Sequence, residues 1–248
     1  MDIAVVPAEE LDGVAARLVV DGLAAAARHR PTLMPALGRS ALGVYRELGR
    51  LHDEGDLDRA DLRLVQLDEY DGLADRDARS LYRWLLRDVA PPLAVPPARI
   101  VRLGGGSLSP EEACRRYDEA VAAAGGVDVA VLGLGPNGHL GFNEPPSDAD
   151  APTRRVELSP ASLASNEAYW PGRSVPRRAL TAGMSTILAA RRIVLVVTGT
   201  AKQVILREML AGPITADLPA SFLRSVPGAT LVADEDAWPA EQIGRAHV

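Results

Sequence analysis

Apolar positions along this chain fall into two kinds of block, and the two alternate. Short continuous apolar runs occupy residues 1–6, 32–36, 62–67, 127–132, 192–197 and 230–233. Their length and β-branched content suit strands covered on both faces in a parallel sheet. Between them apolar residues recur at helical spacing, as Ala15, Leu18, Val19 and Leu23 do in a helix beginning near Ala8. Further helices are expected after the turn at Gly38, over 80–89, over 110–124 behind Ser109 as N-cap, and over 201–210. Residues 180–188 and their surroundings read as a helix or turn-helix, 91–97 as an irregular connection, and 148–152 as a polar, mobile loop. A short apolar piece at 100–103 runs into Gly104-Gly105-Gly106. Strands alternating with helices predict an α/β fold: a doubly wound, mostly parallel, Rossmann-like sheet with helices on both faces.

Composition narrows the picture. The chain has 248 residues, 47% of them hydrophobic, enough for one sizeable α/β domain, expected over 1–242. Net charge is −6 with no long basic run, which argues against nucleic acid as a partner. No apolar run is long enough to span a bilayer and no secretory signal opens the chain, so the expected location is the cytoplasm. Cys114 is the only cysteine; it reads as structural and fits a reducing compartment. The last six residues, Ile243-Gly244-Arg245-Ala246-His247-Val248, match the translation of a common sequencing adapter, and 243–248 is expected to be a non-native tail. His247 is therefore given no role.

The chemistry concentrates where the strand at 127–132 breaks. Gly133, Gly135, Pro136 and Gly138 interrupt it, and Asn137, His139, Asn143 and Glu144 follow. Open α/β sheets bind ligands beyond the carboxyl ends of their strands. A second polar cluster, Asp68-Glu69-Tyr70-Asp71-Gly72, ends the strand at 62–67. Taken singly, His139 could merely pack against its loop, and Asp68 could cap a turn. His29 and His52 sit in ordinary charged surroundings, which leaves His139 as the imidazole candidate.

The run Asn137-Gly138-His139-x-Gly141-Phe142-Asn143-Glu144-Pro145 resembles the signature of the glucosamine-6-phosphate deaminase (isomerase) family. Further blocks are similar in the same order: Leu67-Asp68-Glu69-Tyr70-x-Gly72-Leu73, Val175-Pro176-x-x-Ala179-Leu180-Thr181-x-Gly183, and Gly199-x-x-Lys202. The resemblance runs from Gly38 to Lys202. It implies conversion of glucosamine 6-phosphate, or a related amino sugar, to the ketose phosphate and ammonia through an enolamine, with no metal or organic cofactor. By the same resemblance Asp68 is the base that moves a proton from C2 to C1. His139 is the acid that opens the sugar ring, and Glu144 is the carboxylate that orients it. Substrate contacts are implied for Gly38, Arg39, Ser40, Asn137, Gly138 and Lys202, with Lys202 on the phosphate. Asn137 stands where family members carry Asp or Asn, and reads as a loop- or substrate-positioning group.

Two blocks depart from the family pattern. Residues 36–41 read Ala-Leu-Gly-Arg-Ser-Ala where the family has Ala/Pro-Thr-Gly-(Gly/Ser)-Thr-Pro, and Ala168 replaces an Arg that contacts phosphate. Arg39 or Arg173 could take over that contact, or the natural substrate could differ. The competing readings are a 6-phosphogluconolactonase-like hydrolase, which shares the fold, and a degenerate paralogue that binds sugar phosphate without turnover. A sensing domain of the kind joined to a DNA-binding helix-turn-helix is disfavoured because the first strand starts at once. The family includes monomers and homo-oligomers.

Overall fold

The computed structural model describes residues 1–26, 30–57, 61–104 and 108–239. His29, Gly105, Gly106 and the tail at 243–248 lie outside the described residues. The strands in chain order are β1 (Asp2–Val6), β2 (Thr32–Pro35), β3 (Arg63–Val65), β4 (Asp68–Tyr70), β5 (Ile100–Val101), β6 (Val129–Gly133), β7 (Arg154–Glu157), β8 (Arg178–Thr181), β9 (Arg192–Val197) and β10 (Ala229–Asp234). The helices are α1 (Leu11–Ala25), α2 (Arg39–Asp53), α3 (Leu81–Trp84), α4 (Pro110–Ala123), α5 (Pro160–Glu167), α6 (Met184–Leu188) and α7 (Gln203–Ala211).

Seven strands form one parallel sheet in the order β1-β10-β9-β6-β2-β3-β5. Side-chain alternation explains its continuous apolar runs. Val129 and Val131 of β6 and Val194 and Val196 of β9 enter a core with α1 and α2. Their neighbours Ala130, Leu132, Ile193, Leu195 and Val197 enter the opposite core with α4, α6 and α7. Successive positions of these two central strands thus face opposite helix layers, and each buried aliphatic side chain contributes about 1.5–3 kcal/mol. At the amino ends of β2 and β6 a polar clasp joins the strands. The Thr32 N–H donates to the Asp128 carboxylate at 2.9 Å, and the Asp128 N–H donates to the Thr32 hydroxyl at 2.8 Å. Arg191 lies 3.2 Å from the same carboxylate.

A second, three-stranded antiparallel sheet, β4-β8-β7, was not expected. It corrects two expectations. Asp68–Tyr70 is itself a strand, and the 180–188 segment divides into β8 and the short helix α6, separated at Gly183. The strand expected over 62–67 keeps only Arg63–Val65 in the ladder. Gln66 marks the crossover between the two sheets. Its amide donates to the Asp68 carbonyl and accepts from the Leu103 N–H, while the Tyr117 hydroxyl donates to its backbone carbonyl. The polar stretch at 148–152 is tied down rather than loose: Ser147 donates to the Ala216 carbonyl and Ser185 to the Ala151 carbonyl. Helix starts shift slightly, to Leu11 for α1 and to Gln203 for α7 behind a 3₁₀ turn at Thr200–Lys202. No helix among the described residues is long and apolar enough to cross a membrane.

Candidate active site

The carboxyl ends of β2, β3, β6 and β9 open onto one cavity, roofed by the end of α5 and the residues after it. Gly38, Arg39, Ser40, Asp68, His139 and Lys202 all line it. Four segments distant in sequence meet there because parallel strands place all their carboxyl ends on one edge.

Asp68 is the first residue of β4 and is only 7% exposed. Burial, reinforced by the charge of neighbouring Glu69, pushes its carboxyl up to about 8. No hydrogen bond from the described residues offsets that cost. Strand alternation turns Glu69 the other way. There its carboxylate accepts the N–H groups of Tyr70, Leu81 and Tyr82 and the Ser80 hydroxyl, fixing the start of α3. Burial still raises the Glu69 carboxyl, with these donors acting against it. Adjacent carboxyls therefore do different work: Glu69 is a fully bonded structural group, and Asp68 is a bare one facing the cavity.

His139 follows β6 in a tight loop closed by hydrogen bonds from Gly135 N to the His139 carbonyl and from Gly138 N to the Gly135 carbonyl. The imidazole lies flat against Gly135, where a Cβ would come within 2.3 Å of the ring. Its Nδ1 is 3.2 Å from the Ser162 hydroxyl and 3.8 Å from Glu144 Oε2. The nearest partner of the ring is thus a serine from α5, and the expected carboxylate stands beyond hydrogen-bond length. Burial pushes the Glu144 carboxyl up, but the imidazole, the Ser162 hydroxyl and the Asn137 amide outweigh it and hold it at about 2. Glu144 also receives the Ser159 N–H at 3.3 Å.

Asn137 and Gly138, expected to touch substrate, do not line the cavity. The Asn137 amide donates to Glu144 at 2.6 Å. Gly138, at φ +80, turns its carbonyl to the Ala220 N–H and packs against Leu218. The glycine-rich turn has two sides, and these residues occupy the one that faces the protein.

The cavity is also lined by cationic groups. The first turn of α2 presents backbone N–H groups at Gly38, Arg39 and Ser40, and the Ser40 hydroxyl is 2.6 Å from that of Thr198. Such a helix start favours an anion. Lys202 donates to the Leu134 carbonyl at 2.6 Å, and burial lowers its ammonium below the ordinary lysine range. Arg39 reaches the Ala168 carbonyl at 3.3 Å and stands 5.3 Å over the Tyr169 ring. It therefore covers the position where the family pattern places an arginine. Arg173 is exposed and off the cavity. Ser159, Ser162, Tyr169 and Thr198 were missed in the sequence. Ser159-Pro160 is an N-cap signature that could have located α5, but nothing local shows where that helix docks.

Among the described residues, no three His, Cys, Asp or Glu side chains group as metal ligands would. The family model described as glucosamine-6-phosphate isomerases/6-phosphogluconolactonase matches residues 7–232. A glucosamine-6-phosphate deaminase of Geobacillus is 35% identical over 92% of this chain and 91% of its own. A solved structure described as a monomeric glucosamine-6-phosphate deaminase superposes with a TM-score of 0.88 at 33% identity, covering 96% of this chain and 98% of the other. A 6-phosphogluconolactonase structure from Thermotoga maritima reaches a TM-score of 0.72 at 20% identity over 94% of this chain and 98% of the other, a likeness of fold alone. With its matched blocks gathered on one sheet edge, the chain belongs to the glucosamine-6-phosphate isomerase/6-phosphogluconolactonase family.

Proposed function

We propose that this chain is an amino-sugar-phosphate deaminase acting on glucosamine 6-phosphate. The observation that carries the reading is a single cavity lined by a desolvated carboxyl, an imidazole, a helix start and Lys202. The phosphate sits at the start of α2, against Ser40, Lys202 and Arg39. This leaves the sugar ring between His139 and Asp68. His139 gives a proton to the ring oxygen as the C1–O bond breaks. Asp68, once ionised, takes the C2 proton and returns it to C1. The enolamine becomes a ketimine, and water adds to release ammonia and the ketose phosphate. Each step is a proton transfer or a water addition, so acids and bases held in place suffice.

Two observations support the choice over the lactonase reading. An aldose-to-ketose shift needs a base at carbon, and Asp68 offers one with its proton affinity raised toward the operating pH. The more similar relatives are named as deaminases, whereas the lactonase likeness lies at 20% identity. A panel of glucosamine 6-phosphate, unphosphorylated glucosamine and 6-phosphogluconolactone, scored for ammonia and for acid release, tests it. Lactone hydrolysis without ammonia production from any amino sugar would overturn it.

Arg39 is the proposed replacement for the arginine missing at 168. Arg39→Ala is expected to raise KM for glucosamine 6-phosphate by roughly 10- to 100-fold, the worth of a charge-assisted hydrogen bond, with kcat nearly unchanged. The same variant should leave KM for unphosphorylated glucosamine where it was. Equal losses on both substrates would remove Arg39 from phosphate recognition.

A further inference from the structure

Hydrogen-bond polarity around His139 can be followed atom by atom. The His139 backbone N–H donates to the Asn137 Oδ1 at 3.4 Å, which fixes the way the amide faces. Its NH₂ group then has two hydrogens to place. One goes to Glu144 Oε2 at 2.6 Å and the other to the Ser159 hydroxyl at 3.3 Å. The Ser162 backbone N–H also donates to the Ser159 hydroxyl, at 3.2 Å. Both of these donors are unable to accept, so the single Ser159 proton is directed onward to the Ser162 oxygen, 3.0 Å away. Ser162 is fully buried; its hydroxyl stands 3.2 Å from the imidazole Nδ1, where either atom could hold the proton, and the Glu144 carboxylate is the more distant competing acceptor.

We infer that Ser162 is a positioning residue that holds neutral His139 with its proton on Nε2, the ring nitrogen away from Ser162. An Nδ1–H ring would offer the cavity a bare lone pair. The Nε2–H ring offers a donor, which suits a substrate ring oxygen without prior protonation of the imidazole. When His139 does take a second proton, Ser162 can turn its hydroxyl to the nearby Glu144 carboxylate and accept from Nδ1–H. The direction of the chain originates at Asn137, because an amide NH₂ must donate. An aspartate at the same position would offer only acceptors and would not fix it.

The tautomer can be read without substrate, and so independently of the deaminase reading. Protein labelled with ¹⁵N in histidine, studied by long-range ¹H–¹⁵N correlation above the imidazole titration, is expected to show His139 protonated on Nε2. Ser162→Ala should move the signature toward a mixture of tautomers, and Asn137→Asp should do the same from two residues further along the chain of donors. On the deaminase reading, Ser162→Ala should also lose roughly 10-fold in kcat on the alkaline side of the pH profile and less on the acid side. An Nδ1–H tautomer in the unmodified protein overturns the inference whatever the variants do. A folded Ser162→Ala protein that keeps the pure Nε2–H signature overturns it equally.

Discussion

Asp68→Asn is expected to lower ammonia release by roughly 10²- to 10⁴-fold and, in the same protein, to raise resistance to unfolding at alkaline pH. The two effects share one cause. The folded protein keeps the Asp68 proton up to about 8, whereas an unfolded chain gives it up near ~4. Between those values unfolding releases a proton, so rising pH favours the unfolded chain. The native state's advantage is complete below the lower value and is lost as pH climbs to the upper one. Asparagine carries no such proton. The stability gap between variant and parent should therefore be small at pH 4, widen toward pH 8 and then level off, with a ceiling on the order of 5 kcal/mol. The parent enzyme should show kcat/KM rising with pH to an apparent pKa near 8, because only the ionised carboxyl can accept the C2 proton. Urea titrations at the two pH values, beside the ammonia assay, check both halves. A variant with parental turnover, or one less stable than the parent at pH 8, would sink the assignment of Asp68 as a desolvated base.

The second large effect is expected from Gly135→Ala. A Cβ at this position would stand 2.3 Å from the His139 Cδ2 and 2.4 Å from its Nε2. The obstructed atoms are the end of a rotatable side chain, so the imidazole swings aside and the backbone is spared. A catalytic group displaced by an ångström costs about 100-fold, and that loss in kcat/KM is expected with little change in Tm. Gly138→Ala should behave differently. Its backbone is left-handed at φ +80, and a Cβ would meet the Leu218 side chain at 2.1 Å. There the substitution costs about 1–2 kcal/mol or more of stability in addition to any loss of rate. Thermal melts and the ammonia assay on both variants separate the two outcomes. Parental activity in Gly135→Ala would show that the ring does not work from where it lies.

The contrast between these glycines reflects what could be read in the chain. Strands β6 and β9 announced themselves because both faces are covered and, after Arg192 at the start of β9, the positions run apolar. The small sheet stayed hidden for the opposite reason. Its strands are three or four residues long, and Arg154–Glu157 carries one apolar side chain. Their pairing joins Asp68 to Thr181, more than a hundred residues apart, and no local pattern encodes such a partner. The same limit shaped the site. Asp68, His139 and Lys202 stand at strand ends, where position alone suggests chemistry. Ser162 meets His139 only because α5 folds back over the loop, so its role depends on docking. For Asn137 and Gly138 the family resemblance implies substrate contact, and Asn137 reads equally as a loop-positioning group, but a motif does not say which way its turn faces. Which side of such a turn faces inward depends on Leu218 and Ala220, eighty or more residues downstream.

The clasp of Thr32, Asp128 and Arg191 has a consequence for how this scaffold tolerates change. It sits at the amino ends of the strands, across the full width of the sheet from the cavity. Anchorage and chemistry are thereby assigned to opposite edges. Loops on the reactive edge can be shortened, lengthened or recoloured with charge while the far edge keeps the strands in register. The departures from the family pattern at 39 and 168 both lie on the cavity edge, away from the strand ladder.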